Sequence, residues 1–130
     1  MRAIYIDVAA MEVFEIELPD DEPQLFEAIR QYMGCKVLAL GAVFPNQDVL
    51  YVNHLGVLES ELYFKHSLAP VPIPDNAIVL GSVPRTGEPC SARSTVAVTR
   101  VSVRFMDKWD ALEWAIAAQE AITAERAHAA

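Results

Sequence analysis

The feature that most constrains the fold is an uninterrupted apolar run, Ala77–Leu80, enclosed by turn-forming residues. Pro72 and Pro74 exclude a helix immediately before it, and Gly81 follows it directly. An apolar run of this length without polar alternation is typical of a strand that is covered on both faces. We therefore expect Ala77–Leu80 to lie inside a sheet with a layer on each side, and Gly81 to lie where another backbone comes close.

The length and the charge pattern limit the size of the domain and its partners. At 130 residues the chain fits a single domain, residues 1–130, with one core. Its formal net charge of −8 argues against a nucleic-acid partner and against an anionic membrane. Residues 1–32 hold eight acids and two bases, a net −6, whereas residues 85–108 hold five bases and two acids, a net +3. We expect a bipolar molecule, although solubility and attraction between neighbouring elements would explain the same pattern.

The compartment is predicted from the apolar runs and the cysteines. No apolar run approaches the roughly 20 residues that a membrane helix needs, and Met1–Ala3 leads directly into a strand pattern. We therefore expect neither a signal peptide nor a membrane anchor. Cys35 and Cys90 are too few for a disulfide framework. This favours a cytoplasmic protein with both thiols reduced, Cys35 in the core and Cys90 in a loop.

The first half of the chain predicts a hairpin, a helix and further strands. Alternating apolar residues over 3–18 predict a β-hairpin whose outer face carries Glu15 and Glu17. Asp20–Pro23 has the acids and the proline of a helix start, and Gly34 suits the helix end. Between them one apolar stripe has helical spacing: Leu25, Phe26, Ile29, Tyr32 and Met33.

The middle of the chain predicts more strands, which turn signals separate. Residues 35–44 and 49–52 are apolar runs separated by Pro45 and polar turn residues. In the less regular segment that follows, Tyr63 and Phe64 are expected to cover an end of the core. Thr95–Phe105 is the longest strand candidate, and a bulge near Thr99 and Arg100 would reconcile a change of phase in its valines.

The end of the chain predicts a long helix. Asp107 and Asp110 have the spacing of a helix cap, and the helix is expected to run to about Glu125. The alanine-rich end from Ala124 to Ala130 is expected to fray. The predicted inner stripe is Leu112, Ala115, Ile116, Gln119 and Ile122, with Trp109 at its base. The whole chain thus predicts an α+β domain, a mostly antiparallel sheet of about six to seven strands with two helices packed on it.

No set of residues has the spacing of a catalytic or metal site. His54, His66 and His128 do not have metal-binding spacing, and Cys90 does not complete a zinc ligand set with them. We therefore expect no metal, no cofactor and no enzymatic activity. The loop after Gly81 lacks the lysine and the following helix of a phosphate-binding P-loop. Its serine, threonine and arginines can still hold a phosphate, and an ordinary hairpin loop with solvated arginines is the alternative.

Short motifs resemble a known family. They are Arg2–Asp7 with the strand ending at Pro19, then Tyr32–Cys35, Leu50–Leu58 and Ile73–Gly81, and together they cover roughly residues 1–83. The pattern is similar to a family of small phage, prophage and plasmid proteins, the domain of unknown function number thirty-eight forty-six. Many relatives are expected to have a glycine turn where this chain has Pro74 and Asp75, and the final helix is expected to be an addition. The resemblance implies a setting among accessory genes of mobile elements, and it brings no catalytic residues.

Two functions of different classes follow as hypotheses. The first is a non-enzymatic interaction protein of a phage or mobile element that inhibits a host defence complex, as anti-CRISPR proteins do. Its acidic surface would occupy a basic nucleic-acid channel of that host protein, and its candidate residues are Glu15, Glu17, Asp20, Asp21 and Glu22. The alternative is a protein that sequesters a small ligand or a nucleotide signal. Its candidate residues are Asn76, Ser82, Arg85 and Arg93.

Overall fold

A computed structural model describes residues 1–129 of the chain. The strands are β1 (Arg2–Asp7), β2 (Glu12–Glu17), β3 (Leu38–Val43), β4 (Asp48–Asn53), β5 (Leu62–His66), β6 (Ile73–Pro74), β7 (Ala77–Ser82), β8 (Pro89–Cys90) and β9 (Val103–Asp107). The helices are α1 (Gln24–Met33), α2 (Gly56–Glu59), α3 (Val96–Ser102) and α4 (Lys108–Ala129). This is an α+β fold, as the sequence predicts.

The main sheet is antiparallel and has β7 at its centre. Its strands lie in the order β2-β1-β7-β4-β3, and the short β8 pairs with the end of β7. Every residue of Ala77–Leu80 is buried, which confirms the prediction of a strand that is covered on both faces. A Cβ atom on Gly81 would lie 2.5 Å from the carbonyl oxygen of Ser91, so the predicted close approach of another backbone is also confirmed.

Helix α1 covers one face of the main sheet. Its buried residues are Leu25, Ile29 and Met33, which pack on Ile78 and Leu80 of β7. The helix ends where the stripe predicts, because its cap residue Gly34 has a left-handed φ of 64°. Two details differ from the prediction: Pro23 is the N-cap and not the first helical residue, and Tyr32 is half exposed at the side of the stripe.

A small sheet covers the other face of the main sheet. It has the strand order β6-β5-β9. Because side chains alternate along a strand, Phe64 of β5 is in the main core with Ile4 and Val79, whereas Tyr63 faces the opposite way and packs with Met106 and α4. The expectation that this pair covers the core is therefore confirmed for Phe64, whereas Tyr63 belongs to a separate small cluster. The layers are therefore α1, the main sheet, the small sheet and α4.

The prediction of one long strand over Thr95–Phe105 is wrong. Residues 96–102 form α3, and only residues from Val103 onwards belong to β9, so no bulge occurs at Thr99 and Arg100. Thr95 caps the helix by accepting a hydrogen bond from the amide of Val98 at 3.1 Å. The valines favour a strand by propensity, but burial of Thr99 and the contact of α3 with β2 outweigh that preference.

The predicted inner stripe of α4 is also wrong. Leu112, Ala115, Ile116, Gln119 and Ile122 are all exposed, and Ala111 is the one buried residue of the helix within the described chain. In its first turns the helix packs through Ala111 and not through the predicted stripe. Its second half lacks a partner because of length, since a helix of 22 residues is about 33 Å long and a strand of five residues such as β5 spans about 17 Å. About half of α4 therefore extends past the small sheet.

The end of α4 differs from the prediction as well. The helix continues through Ala129 and does not stop near Glu125. The expected fraying from Ala124 stays a prediction, and Ala130 lies outside the described residues.

Candidate functional site

An apolar hollow of about 570 Å³ lies between the first turns of α4 and the small sheet. This volume is within the range of pockets that hold ligands or protein side chains. The hollow is lined mainly by Tyr63, Val71, Pro72, Trp109, Leu112 and Trp114, and we call it the apolar hollow. Both tryptophans of the protein therefore lie at one surface feature.

The helix cap and the strand alternation position the apolar hollow. The carboxylate of Asp107 accepts a hydrogen bond from the amide of Asp110 at 2.8 Å, and the carboxylate of Asp110 accepts one from the amide of Asp107 at 3.4 Å. This reciprocal cap, predicted from the sequence, fixes where α4 begins. Trp109 consequently lies in the first turn, where 73% of its surface is exposed, and lines the hollow together with the outward-facing Tyr63 of β5.

Charged side chains also lie at the apolar hollow, and two of them, Glu61 and Lys108, are part of its lining. The Nζ of Lys65 lies 5.6 Å from the ring centroid of Trp114, within the range of a cation–π contact. The same Nζ donates to the carbonyl oxygen of His66 at 2.8 Å and to that of Ala69. At the rim, the Nζ of Lys108 lies 3.9 Å from the carboxylate of Glu61. Trp114 is thus held by the small sheet, whereas Trp109 projects into solvent.

His66 is buried beneath this surface and has a structural environment. Its ring stacks on Phe44 with centroids 4.5 Å apart, and its Nδ1 accepts a hydrogen bond from the amide of Leu68 at 3.1 Å. Burial, and secondarily the charge of Lys65, lower the pKa of His66. The imidazole is therefore neutral at neutral pH, and its Nδ1 is already occupied by the hydrogen bond from Leu68 of the following loop.

The acidic candidates lie at one end of the main sheet. Glu15 and Glu17 belong to β2, and Asp20, Asp21 and Glu22 follow on the way to α1. The last three border a shallow hollow of about 370 Å³ together with Glu88. We call the five predicted residues the acidic edge. The structure thus brings the residues of the first hypothesis to neighbouring positions.

Cations of the same chain lie against the acidic edge. The amino group of Met1 is 2.7 Å from the carboxylate of Asp20 and 3.6 Å from that of Glu17. The hydrogen bond to Asp20 raises the pKa of that amino group. The Nε of Arg2 lies 3.4 Å from Glu15. Because the carboxylates of these pairs are exposed to solvent, the pairs are weak, and their main effect is to reduce the local negative charge.

The residues of the alternative hypothesis do not form one site. Asn76 precedes β7, whereas Ser82 ends it, so the two lie at opposite ends of the strand. The side chain of Asn76 accepts from the amide of Val8 and donates to the hydroxyl of Tyr5, each at 2.9 Å. Ser82 donates to the carbonyl oxygen of Gln47 at 2.8 Å.

The two arginines of that hypothesis lie near the Ser82 end of the strand. Arg93 lies near Gln47 and Asp48, at 3.5 Å and 4.0 Å respectively. Arg85 is exposed in the turn that follows β7. The described contacts therefore leave Asn76 apart from Ser82 and Arg93, and they direct all three side chains to the chain's own groups.

Asp48 is a buried carboxylate that the sequence reasoning missed. It accepts hydrogen bonds from the amides of Arg93 at 2.9 Å and Ser94 at 2.8 Å, and from the side chain of Asn46 at 3.3 Å. These bonds connect β4 to the loop before α3. A polar residue at the start of an apolar strand, directly after a turn, is only a weak sign of a buried carboxylate, because most such residues are solvated.

The described residues contain no group of three or more His, Cys, Asp or Glu side chains that could hold a metal ion. No helix within residues 1–129 is both long and apolar enough to cross a membrane. Cys35 is buried, Cys90 is half buried, and the two thiols are not bonded to each other. Burial raises the pKa of the Cys35 thiol, which disfavours its reactive thiolate form.

Comparison of the chain with protein-family models, with curated proteins and with solved structures returns no match. The resemblance to the family of phage and plasmid proteins stays a prediction.

Proposed function

We propose that this protein is a non-enzymatic, protein-binding module that contacts its partner through α4 and the apolar hollow. The observation that carries the proposal is the exposed apolar surface at the start of α4, where Trp109 is 73% exposed and Leu112 and Ile116 are each 50% exposed. Exposed tryptophan beside a preformed pocket is the typical composition of the centre of a protein interface. The helix buries so little against its own domain that stability alone does not account for these side chains.

The partner that fits is a protein surface with an apolar anchor side chain surrounded by lysine or arginine. The apolar lining of the hollow selects the anchor. The net charge of −8 and the acidic edge attract positive charge at long range, which raises the association rate more than the final affinity. The two features act at different distances, so they are separable by experiment.

Selection from a random peptide library tests this proposal directly. We expect the wild-type chain to enrich peptides with one large apolar residue flanked by basic residues, and Trp109→Ala to lose at least about tenfold in affinity for them, the effect typical of an interface hot spot. Val101→Ala is the matched control, because Val101 is 86% exposed on α3, away from the hollow. Peptides that bind Trp109→Ala as tightly as the parent would refute the assignment.

The narrower hypothesis from the sequence is part of the same proposal. In it the partner is a nucleic-acid-binding defence complex of a bacterial host, the protein acts in the host cytoplasm, and the acidic edge stands in for phosphates. It is supported by the exposure of the carboxylates and takes its setting from the family resemblance.

A variant with four charges removed tests the part played by the acidic edge. Replacement of Glu15, Glu17, Asp20 and Asp21 by Gln or Asn should slow association with the selected basic peptides. It should also remove much of the salt dependence of binding, since the screening length is about 8 Å near physiological ionic strength. Unchanged association by the folded quadruple variant would exclude phosphate mimicry and would leave the apolar hollow as the binding surface. A circular-dichroism spectrum like that of the parent establishes folding.

A further inference from the structure

Strand β3 is an open edge of the main sheet. It pairs with β4 on one side and is the last strand of the sheet on the other. Residues 37–47 contain no Asp, Glu, Lys or Arg. Leu40 and Val43 are 63% and 61% exposed. An apolar edge strand offers unpaired backbone groups to another chain, and soluble proteins usually protect such an edge.

The other sheet edges in the described chain carry such protection. On β2, the guanidinium of Arg100 donates to the carbonyl oxygen of Val13 at 2.9 Å, and α3 packs alongside. Strand β9 carries charged residues and contacts α3 and α4, and β6 and β8 have only two residues each, including Pro74 and Pro89 respectively. Charges, covering helices, short length and proline all hinder edge pairing. Strand β3 has none of these four, and its one irregularity is the shift of pairing at Gly41.

The irregularity in β3 gathers its apolar side chains on one face. The pairing with β4 shifts at Gly41, so that Leu40 lies opposite Tyr51 and Val43 lies opposite Val49. Tyr51 and Val49 are two residues apart in β4 and therefore share a face, which places Leu40 and Val43 together on it. This is the face of α1, because Tyr51 packs with Phe26 of that helix at a ring distance of 6.0 Å.

Helix α1 is too narrow to cover this stripe. A helix is about 10 Å across and strands lie about 4.8 Å apart, so one helix covers about two strands. The buried residues of α1 share a cluster with residues of β2, β1 and β7, and from β3 only the partly buried Leu38 packs against that cluster. Leu40 and Val43 are thus left uncovered at the far side of the sheet.

We propose that β3 pairs with β3 of a second copy of this chain, antiparallel and about a twofold axis, to give one continuous sheet across the dimer. Such an interface is self-complementary, since the stripe of each copy lies beside the stripe of the other. The charge distribution favours β3 as the contact between two copies. Two molecules of net charge −8 repel each other, and the uncharged segment 37–47 brings no carboxylate to the interface. The proposal uses neither the apolar hollow nor the acidic edge, so it is independent of the proposed function.

The length of the contact sets its strength. A six-residue strand edge buries less than the standard interface of about 1,600 Å², so the dimer should be reversible and should depend on protein concentration in the micromolar range. We therefore expect a monomer–dimer equilibrium and not a permanent dimer.

Sedimentation velocity of the full chain over about 1–100 µM tests the proposal, because weak interfaces of this size associate in that range. The wild type should shift from monomer to dimer across it, and Leu40→Lys should weaken the association at least about tenfold by placing two like charges beside each other. The matched control is Val101→Lys, which adds the same charge at an exposed residue near the opposite edge and should dimerise slightly better than, or as well as, the wild type.

Hydrogen exchange gives a second measurement that does not depend on any variant. The amides of residues 38–43 should exchange more slowly at the high concentration than at the low one, while those of α4 should not change. A wild type that stays monomeric throughout would overturn the proposal. A dimer that Leu40→Lys and Val43→Lys leave intact, or one that protects α4 instead of β3, would overturn it equally.

Discussion

Helices α1 and α4 differ in how many of their residues are buried in the domain. Helix α1 has ten residues and buries Leu25, Ile29 and Met33 in the core, whereas α4 has 22 residues and buries Ala111 alone. The difference lies in what each helix packs against: α1 lies on the centre of the main sheet, and α4 extends past the small sheet. A short helix with an apolar stripe can thus hold the fold together, while a longer and more alanine-rich one serves as an exposed surface.

The largest effect should come from removing a buried side chain of α1. Ile29→Ala should lower the free energy of unfolding by about 2–5 kcal/mol, because it leaves a cavity where the residue is fully buried. Ile116→Ala is the matched change in α4 and should cost less than about 0.5 kcal/mol, since Ile116 is half exposed. Urea denaturation measures both. Equal losses would mean that α4 packs on its domain more closely than described.

A smaller effect should come from the cap of α4. Asp107→Ala removes the acceptor for the amide of Asp110 and should cost about 0.5–2 kcal/mol of local helix stability. Asp107→Asn keeps an acceptor and should retain most of it. Because α4 contributes little to the core, the loss should show as reduced helical content by circular dichroism and only weakly in global unfolding. A full loss in urea denaturation would contradict the separation of the two helices.

A further, smaller effect should arise from His66, which stacks on Phe44 of the main core, and should depend on pH. Burial lowers the pKa of His66 below its ordinary value of 6.5, so the unfolded state binds the proton more readily than the folded state. Stability due to the neutral imidazole is complete above pH of about 6.5 and is lost as the pH falls towards the lower pKa of the folded state. Urea denaturation from pH 7.5 to 5.5 should show this decline, and His66→Asn, which keeps an acceptor for Leu68, should reduce it. The same slope in both proteins would assign the effect to other groups.

The smallest effect should follow removal of residues 119–130. The described part of this segment is exposed throughout, so the free energy of unfolding should change by less than about 0.5 kcal/mol. In the full chain, the amides of Ala77–Leu80 should exchange only on global unfolding, and those from Ala124 onwards should exchange fastest. Slow exchange at the end of α4 would show that another element or another molecule covers it.

The sequence predicts the elements that follow one rule of periodicity. Ala77–Leu80 is apolar at every position because both faces are covered, and α1 follows helical spacing between clear start and end signals. Prediction from periodicity fails at α3, because its valines favour a strand, whereas in the fold Thr99 is buried and α3 packs against β2. That contact joins distant residues, such as Arg100 and Val13, which form a hydrogen bond although they are 87 positions apart. No local sequence pattern indicates it.

The candidate site was predictable only in part. The acidic edge could be proposed because its residues are close in sequence and precede a helix. The apolar hollow could not, because its position depends on which face of α4 meets β5. The small sheet that decides this pairs residues 37 to 45 positions apart, from His66 with Val103 to Leu62 with Asp107. A stripe such as Leu112, Ile116 and Ile122 has the same pattern whether it is buried in the domain or exposed to a partner.

Both tryptophans of the protein lie in α4, and this has an optical consequence. Intrinsic fluorescence excited selectively at tryptophan reports on the surroundings of α4 and not on the core around Ile29 and Ile78. Occupation of the apolar hollow should shift the emission of Trp109 to shorter wavelength as water leaves its ring. Conversely, a denaturation curve followed by fluorescence alone would describe the contact between α4 and the small sheet, so the stability of the main sheet has to be followed by another signal.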